Sequence, residues 1–342
     1  MMSFTFWDTE RFIHSVKTTI ACVIGFYLSR LIGLPADQWV VISIIVVMCA
    51  QIYVGSMAQK SYSRFLGTLL GCLFASVSLI FTHHSTLDIA ATIALSSFIF
   101  SYIATGQQEL SYAGTLGAAT TAIILLGSKE PTLTFAAQRF LEISLGILIA
   151  GVISQFVFPI HAKTHLRREQ AKTLGMLHDY YKNLLADHTQ LIEIQELDEN
   201  IVKSLLKQRQ LAKESASEKK GSAFNQLHFT ESLYYEREIL RAITFMYHGI
   251  DTIKQCSHHF VSIPSLSEFN EAVLTCLKQL VTMIENKNSK QQIIIPSVDA
   301  VKTDFKKIQP PPSHEEMIAI GGFLFSAEIV VHSLQKLKEL SK

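Results

Sequence analysis

The chain has 342 residues, of which 49% are apolar and 17% charged, with 30 basic against 29 acidic side chains. So even a balance excludes a nucleic-acid binder held by bulk positive charge. The average also hides two unlike parts: charge is scarce from about Val16 to Pro159, while the sequence from His161 to Lys342 is rich in Lys, Glu, Gln, Asn and Ser.

A stretch of about 20 mostly apolar residues is needed to cross a hydrocarbon core of ~30 Å. Six segments approach that length, at about 16–33, 39–57, 65–82, 88–105, 111–128 and 139–159. The first has Asp8, Glu10, Arg11 and Lys17 on its flank and no small-x-small cleavage site after it, so it reads as a span rather than a removable leader. The connections GLPADQ, AQKSYSR, HHSTLD, GQQEL and SKEPTLTFAAQ are short and polar. Short links force the spans to alternate up and down, and the runs lack the alternation of barrel strands. The fold class expected is all-α: a six-helix transmembrane bundle over 1–160, followed by a cytoplasmic helical bundle over 161–342.

Orientation follows from the Lys/Arg bias of the flanks. Arg11, Lys17, Lys60, Arg64, Lys163, Arg167 and Arg168 fall on one side, and Arg30, Lys129 and Arg139 on the other, which places both termini in the cytoplasm. Trp39 stands where an interfacial aromatic anchor belongs. Beyond Pro159, helical periodicity predicts helices at 163–190, 191–215, 226–260, 266–288 and 297–308. After QPPPS, the sequence SHEE reads as a capping box that opens a last helix at Ser313. That helix is apolar from Ile318 to Val331, yet Glu328 and Gly321-Gly322 favour a buried bundle helix over a seventh span.

SYSRFLGTLLG, residues 61–71, holds the residues of most chemical interest. Gly67 and Gly71 form a GxxxG face on which membrane helices pack closely. Arg64 stands one turn before that face, where its guanidinium either snorkels to the interface or offers a fork to a carboxylate. A related word, SYAGTLGAA, opens the fifth span. Lys17 lies in the first span, and Arg139 and Glu142 are three residues apart in the sixth. An ion within a membrane costs about 2.5–3.5 kcal/mol even on permissive scales, so each should be paired or functional. Arg139 with Glu142 can pair locally; the sharper alternative makes them proton-coupling groups. Lys17 and Arg64 are candidate cationic contacts for an anionic substrate, Thr68 a hydrogen-bond donor to it, and Trp39, Tyr53 and Tyr62 aromatic walls.

Other chemistry is poorly supported. The cysteines, at 22, 49, 72, 256 and 276, form no CxxC or Cys/His ligand spacing. His83-His84 and His258-His259 lack partners at helical spacing, so no metal and no cofactor is expected. No HExxH, GxSxG, P-loop or GxGxxG is present, and enzyme activity is not expected.

The run from RFIHSVKTTIACVIGFYLSR through WVVISIIVVMCAQIYVG to SRFLGTLLGCLFA resembles the fusaric acid resistance superfamily, the aromatic acid exporters. The resemblance is carried by the Lys-bearing first span, by Trp39 at the start of the second, and by R-x-x-G-T-x-x-G at Arg64, Gly67, Thr68 and Gly71. RFLEISLGILIAGVISQFVFP is similar to the family's sixth span with its exit proline. The resemblance implies an inner-membrane protein that exports organic anions, typically aromatic carboxylates, with lipid and a small organic acid as partners and no nucleic acid. Many members carry the six-span unit twice, so a single unit implies a homodimer or homo-oligomer. Two other readings stand beside coupling to the proton-motive force: a passive organic-anion channel gated by the cytoplasmic domain, and a membrane-anchored interaction scaffold.

Overall fold

Apolar runs with helical periodicity become helices here because a backbone in an apolar setting must satisfy its own hydrogen bonds. A computed structural model describes residues 9–49, 52–81, 85–106, 108–127, 132–185, 191–216, 218, 226–256, 264–286, 293–307 and 314–341. Among these, twelve helices and no strand make up the regular structure: α1 (Thr9–Ile32), α2 (Gln38–Met48), α3 (Val54–Phe81), α4 (Thr86–Thr105), α5 (Gln108–Leu126), α6 (Leu133–Phe156), α7 (Ala162–Leu185), α8 (Leu191–Ala216), α9 (Gln226–Cys256), α10 (Pro264–Asn286), α11 (Asp299–Phe305) and α12 (His314–Leu340). The chain is all-α, as the sequence predicts. It divides into two compact units, one running to Ala162 and including Glu218, the other holding the remainder from Lys163.

In the first unit α1, α3, α4 and α6 are long and apolar enough to cross a membrane, and α2 and α5 are shorter apolar helices. The predicted boundaries need two corrections. The expected second span, 39–57, is an 11-residue helix that ends at Met48, capped by the Cys49 amide on the Ile45 carbonyl. At 1.5 Å per residue, α2 is about 16 Å long, roughly half a hydrocarbon core. Residues 54–57 instead begin α3, which has 28 residues. The polar letters of AQKSYSR suggested a loop, but Ala, Gln, Lys and Arg are good helix formers, and the helix runs straight through them. Arg64 therefore lies about 15 Å into α3 rather than at its threshold. Likewise α6 begins at Leu133, with the Thr132 side chain capping the Phe135 amide, so Arg139 is a helix-interior residue and not a flank.

α1 ends where Gly33 takes φ +76°, and the Leu34 amide reaches back to the Ser29 carbonyl at 3.0 Å. That is a Schellman stop, and it turns the chain into α2. α3 lies along α5 with almost no space between them. A Cβ on Gly67 would come within 2.4 Å of the Ala113 carbonyl oxygen, and one on Gly71 within 2.6 Å of that of Gly117. The two related words of the sequence thus pack against each other. α2 seats against α6 through Gly146, whose missing side chain makes room for Ser43 and Val40.

The second unit is built from amphipathic helices around one apolar core that includes Leu177, Ile243, Val273, Leu277 and Phe323. α12 buries Ile320, Phe323, Ala327, Val330, Leu334 and Leu337 at three- and four-residue steps. By length and composition alone α12 could also cross a membrane. Its Glu328 is ion-paired with Lys302 of α11. Ser313, the expected cap of α12, lies outside the described residues, as do Lys129, His83, His84, His258 and His259.

A buried polar cluster crosses this core. Glu236 of α9 is fully buried and accepts from Gln208 Nε2 of α8 at 2.7 Å. Gln208 also donates to Thr173 of α7. Burial pushes the Glu236 carboxyl from 4.5 up to about 7, against the lowering effect of its hydrogen bonds.

Two outcomes follow. Gly71→Leu should cost about 1–3 kcal/mol or more by forcing α3 from α5, whereas Gly151→Leu, which has nothing within 4 Å of its Cβ position, should be tolerated. Thermal unfolding in detergent reads the difference. Because Glu236 holds its proton more tightly folded than unfolded, its contribution is full below about pH 4.5 and lost as pH rises through about 7. Melting compared at pH 5 and pH 8 should show this decline, and Glu236→Gln should flatten it.

Candidate functional site

The charged residues inside the first unit fall into three groups, set by the helices that carry them. The first is a clasp. Arg139 Nη1 donates to Glu142 Oε2 at 2.6 Å, and Glu142 Oε1 accepts from the backbone amide of Ala36 at 3.0 Å. Both residues are buried. The Arg139 guanidinium lies 4.6 Å from the ring centre of Phe135 and 5.2 Å from that of Trp39. Trp39 is thus engaged with Arg139 rather than forming a wall near Arg64. With both carboxylate oxygens engaged, Glu142 ties α6 to the α1–α2 turn. Arg139 is thus the local ion-pair partner of Glu142.

The second group centres on Arg64. Its side chain is 5% exposed, with Nη2 donating to Ser43 Oγ at 3.3 Å and Nη1 to Tyr112 Oη at 3.5 Å, while Nε has no partner. Both contacts are neutral hydroxyls, and both are long. Among the described residues no carboxylate pairs with this guanidinium. One turn earlier on α3, Lys60 Nζ sits 4.4 Å from the Tyr112 ring centre, a cation–π contact. One turn later Thr68 is buried on the same helix. α3 therefore carries Lys60, Arg64 and Thr68 at helical spacing, with Tyr112 of α5 held between the two cations. Gly67 and Gly71 make that closeness to α5 possible.

The third group is on α1. Lys17 is 0% exposed and its Nζ has no partner. One turn before it, His14 Nε2 lies 3.0 Å from the Met48 carbonyl oxygen at the end of α2.

Two predicted residues stand apart from these groups. Tyr62 is 67% exposed on the outside of α3, so it cannot wall a path that Arg64 faces. The error is one of phase: 62 and 64 are two residues apart, about 200° around a helix. Tyr53 is half-buried between α2 and α3, and its carbonyl oxygen accepts from Ser56. Conversely Ser43, Tyr112 and His14 complete these groups from outside the motifs that the sequence offers. Ser43 had a signal, as the single hydroxyl in VVISIIVV; Tyr112 had one in the related word SYAGTL. His14 had none beyond its spacing from Lys17.

The clasp makes its own prediction. Glu142→Ala should leave Arg139 buried without a counter-ion and cost about 3–5 kcal/mol, while Glu142→Leu with Arg139→Met should recover most of it. Thermal unfolding of the three forms in detergent measures the contrast.

The fusaric acid resistance protein family is matched over residues 11–231, which takes in the first unit from α1 onward and α7 and α8 of the second. Inner membrane protein YeeA of Escherichia coli K12 is 25% identical over 195 residues, 57% of this chain and 54% of that one. Multidrug resistance protein MdtO of the same strain is 27% identical over 186 residues, 52% of this chain and 26% of that one. The p-hydroxybenzoic acid efflux pump subunit AaeB of Escherichia coli O9:H4 is 26% identical over 166 residues, 45% of this chain and 25% of that one. The match takes in about half of YeeA and about a quarter of each of the others. With more than half of its length matched and its apolar helices in place, the chain belongs to the fusaric acid resistance protein family of membrane proteins.

Proposed function

We propose that this protein exports organic acids across the inner, cytoplasmic membrane, with the carboxylate passing Arg64 between α2, α3 and α5. The observation that carries the reading is a pair of buried cations, Lys17 and Arg64, for which no described residue supplies a carboxylate. An intramembrane charge without a counter-ion is expensive, and the cost falls when a negatively charged ligand or water reaches it. A guanidinium is suited to this because its planar fork meets both oxygens of a carboxylate. Ser43 and Tyr112 hold the fork with weak neutral contacts, which an arriving carboxylate can replace.

Family membership, the multidrug-resistance name of MdtO and the efflux-pump name of AaeB support transport of small molecules, and the name of AaeB supports an aromatic acid. Lys60 would draw the anion from the cytoplasmic side, since it lies on the Val54 side of Arg64 on α3. On this reading both termini are cytoplasmic. Lys17, Arg64 and Arg139 no longer count as flank charges, but Arg11, Lys60, Lys163, Arg167 and Arg168 still outnumber Arg30 and Lys129.

Export of radiolabelled p-hydroxybenzoate from cells, or uptake into inverted vesicles, tests the assignment. Arg64→Ala should lower the rate about 10- to 100-fold, the worth of a charge-assisted hydrogen bond. Arg64→Lys should fall between, and Tyr62→Ala should match the parent. Undiminished flux in Arg64→Ala, with the protein present in the membrane, would remove Arg64 from the path.

A further inference from the structure

Two polar atoms on α1 are buried without partners, and they are chemically complementary. Lys17 Nζ is a donor and His14 Nδ1, one turn before it, is the other orphan. The His14 ring is fixed by its contact of 3.0 Å from Nε2 to the Met48 carbonyl oxygen. A carbonyl can only accept, so Nε2 carries the hydrogen and Nδ1 of the neutral ring presents a lone pair. Residues three apart share a helix face, so ammonium donors and an imidazole acceptor stand side by side on α1. The helices packed on α1 are α2 and α6. Their charged groups are Asp37, which pairs with Arg30, and Arg139 and Glu142, which pair with each other; α1 itself adds Glu10, one turn before His14 and two before Lys17, with Arg11, Tyr27 and the thiol of Cys22, and Cys49 stands at the end of α2. None of these makes a hydrogen bond or an ion pair with Lys17 Nζ.

A carboxyl group has the matching pattern. One oxygen can accept from the Lys17 ammonium. The other then faces the Nδ1 lone pair, and two acceptors cannot approach without a hydrogen between them. A proton drawn from water supplies that hydrogen, shared by Nδ1 and the carboxylate oxygen, so one carboxylate and one proton arrive together and the charge of the site is unchanged. We propose that His14 and Lys17 form a carboxyl-binding site that loads an organic acid together with a proton. This rests on the organic-acid reading above but not on Arg64.

The test is proton uptake by the purified full-length protein in weakly buffered detergent near pH 7, with benzoate as probe and a pH indicator as readout. The parent and Arg64→Ala should each take up about one proton per benzoate bound at this site. His14→Gln carries permanent N–H donors, so it should bind benzoate with no proton uptake. Lys17→Met, or Lys17→Gln if the first does not stay monodisperse, should bind at least about tenfold more weakly, the loss of one charge-assisted bond. Proton uptake unchanged in His14→Gln would overturn the proposal, as would full affinity in the Lys17 variants or no benzoate binding at all. Chloride binding of equal strength would identify a simple anion pocket and also overturn it. Loss of export in Arg64→Ala with proton-linked binding intact would leave both readings standing, whereas intact export in that variant would remove the Arg64 path alone.

Discussion

Positive charge held in an apolar helical bundle without a matching negative charge is the constraint around which the first unit is organised. Water would solvate a guanidinium generously; here Arg64 has two long contacts to hydroxyls, and Lys17 has none at Nζ. The bundle contains the solution it does not apply to them: Arg139 carries Glu142 one turn away on its own helix. The contrast lies within one set of helices, so general properties of membrane packing cannot account for it. What separates the groups is whether a carboxylate was built in.

Holding such a charge in place requires rigid neighbours. α3 and α5 approach until backbone carbonyls fill the space that a Cβ would occupy on Gly67 and Gly71. That closeness brings Tyr112 to Arg64 and Lys60. Gly146 does the same for α2, allowing Ser43 to reach the interior between α6 and α3. The glycines act through the positions they grant to others.

Much of this was legible in the residues. Apolar length announced the long helices, and R-x-x-G-T-x-x-G announced a close-packed face beside a cation. Three things were hidden. Composition could not show that α2 stops at Met48, because Cys49, Ala50, Ile52 and Val54 carry the apolar run on past it. The polar letters before Arg64 concealed a helix already ten residues old, which moved that side chain from the rim to the interior. Partners from distant parts of the chain, such as Ala36 for Glu142 or Tyr112 for Arg64, have no sequence signature, since tertiary packing alone brings them together. In the second unit the amphipathic stripes were plain, but the buried Glu236 cluster was not, because Glu, Gln and Thr in a helix ordinarily read as solvated.

The unequal lengths of neighbouring helices have a further consequence for the lipid around them. α3 measures about 42 Å along its axis, well beyond a hydrocarbon layer of ~30 Å, and its first amide, Val54, is anchored to the Ile160 carbonyl at 3.1 Å. Beside it α2 covers little more than a third of that length. Acyl chains meeting such a perimeter must stretch along one flank and compress along the next, or the tall helix must lean. The protein thereby presents its bilayer with a boundary of uneven height, and membrane thickness becomes a mechanical load on the rod that carries Arg64.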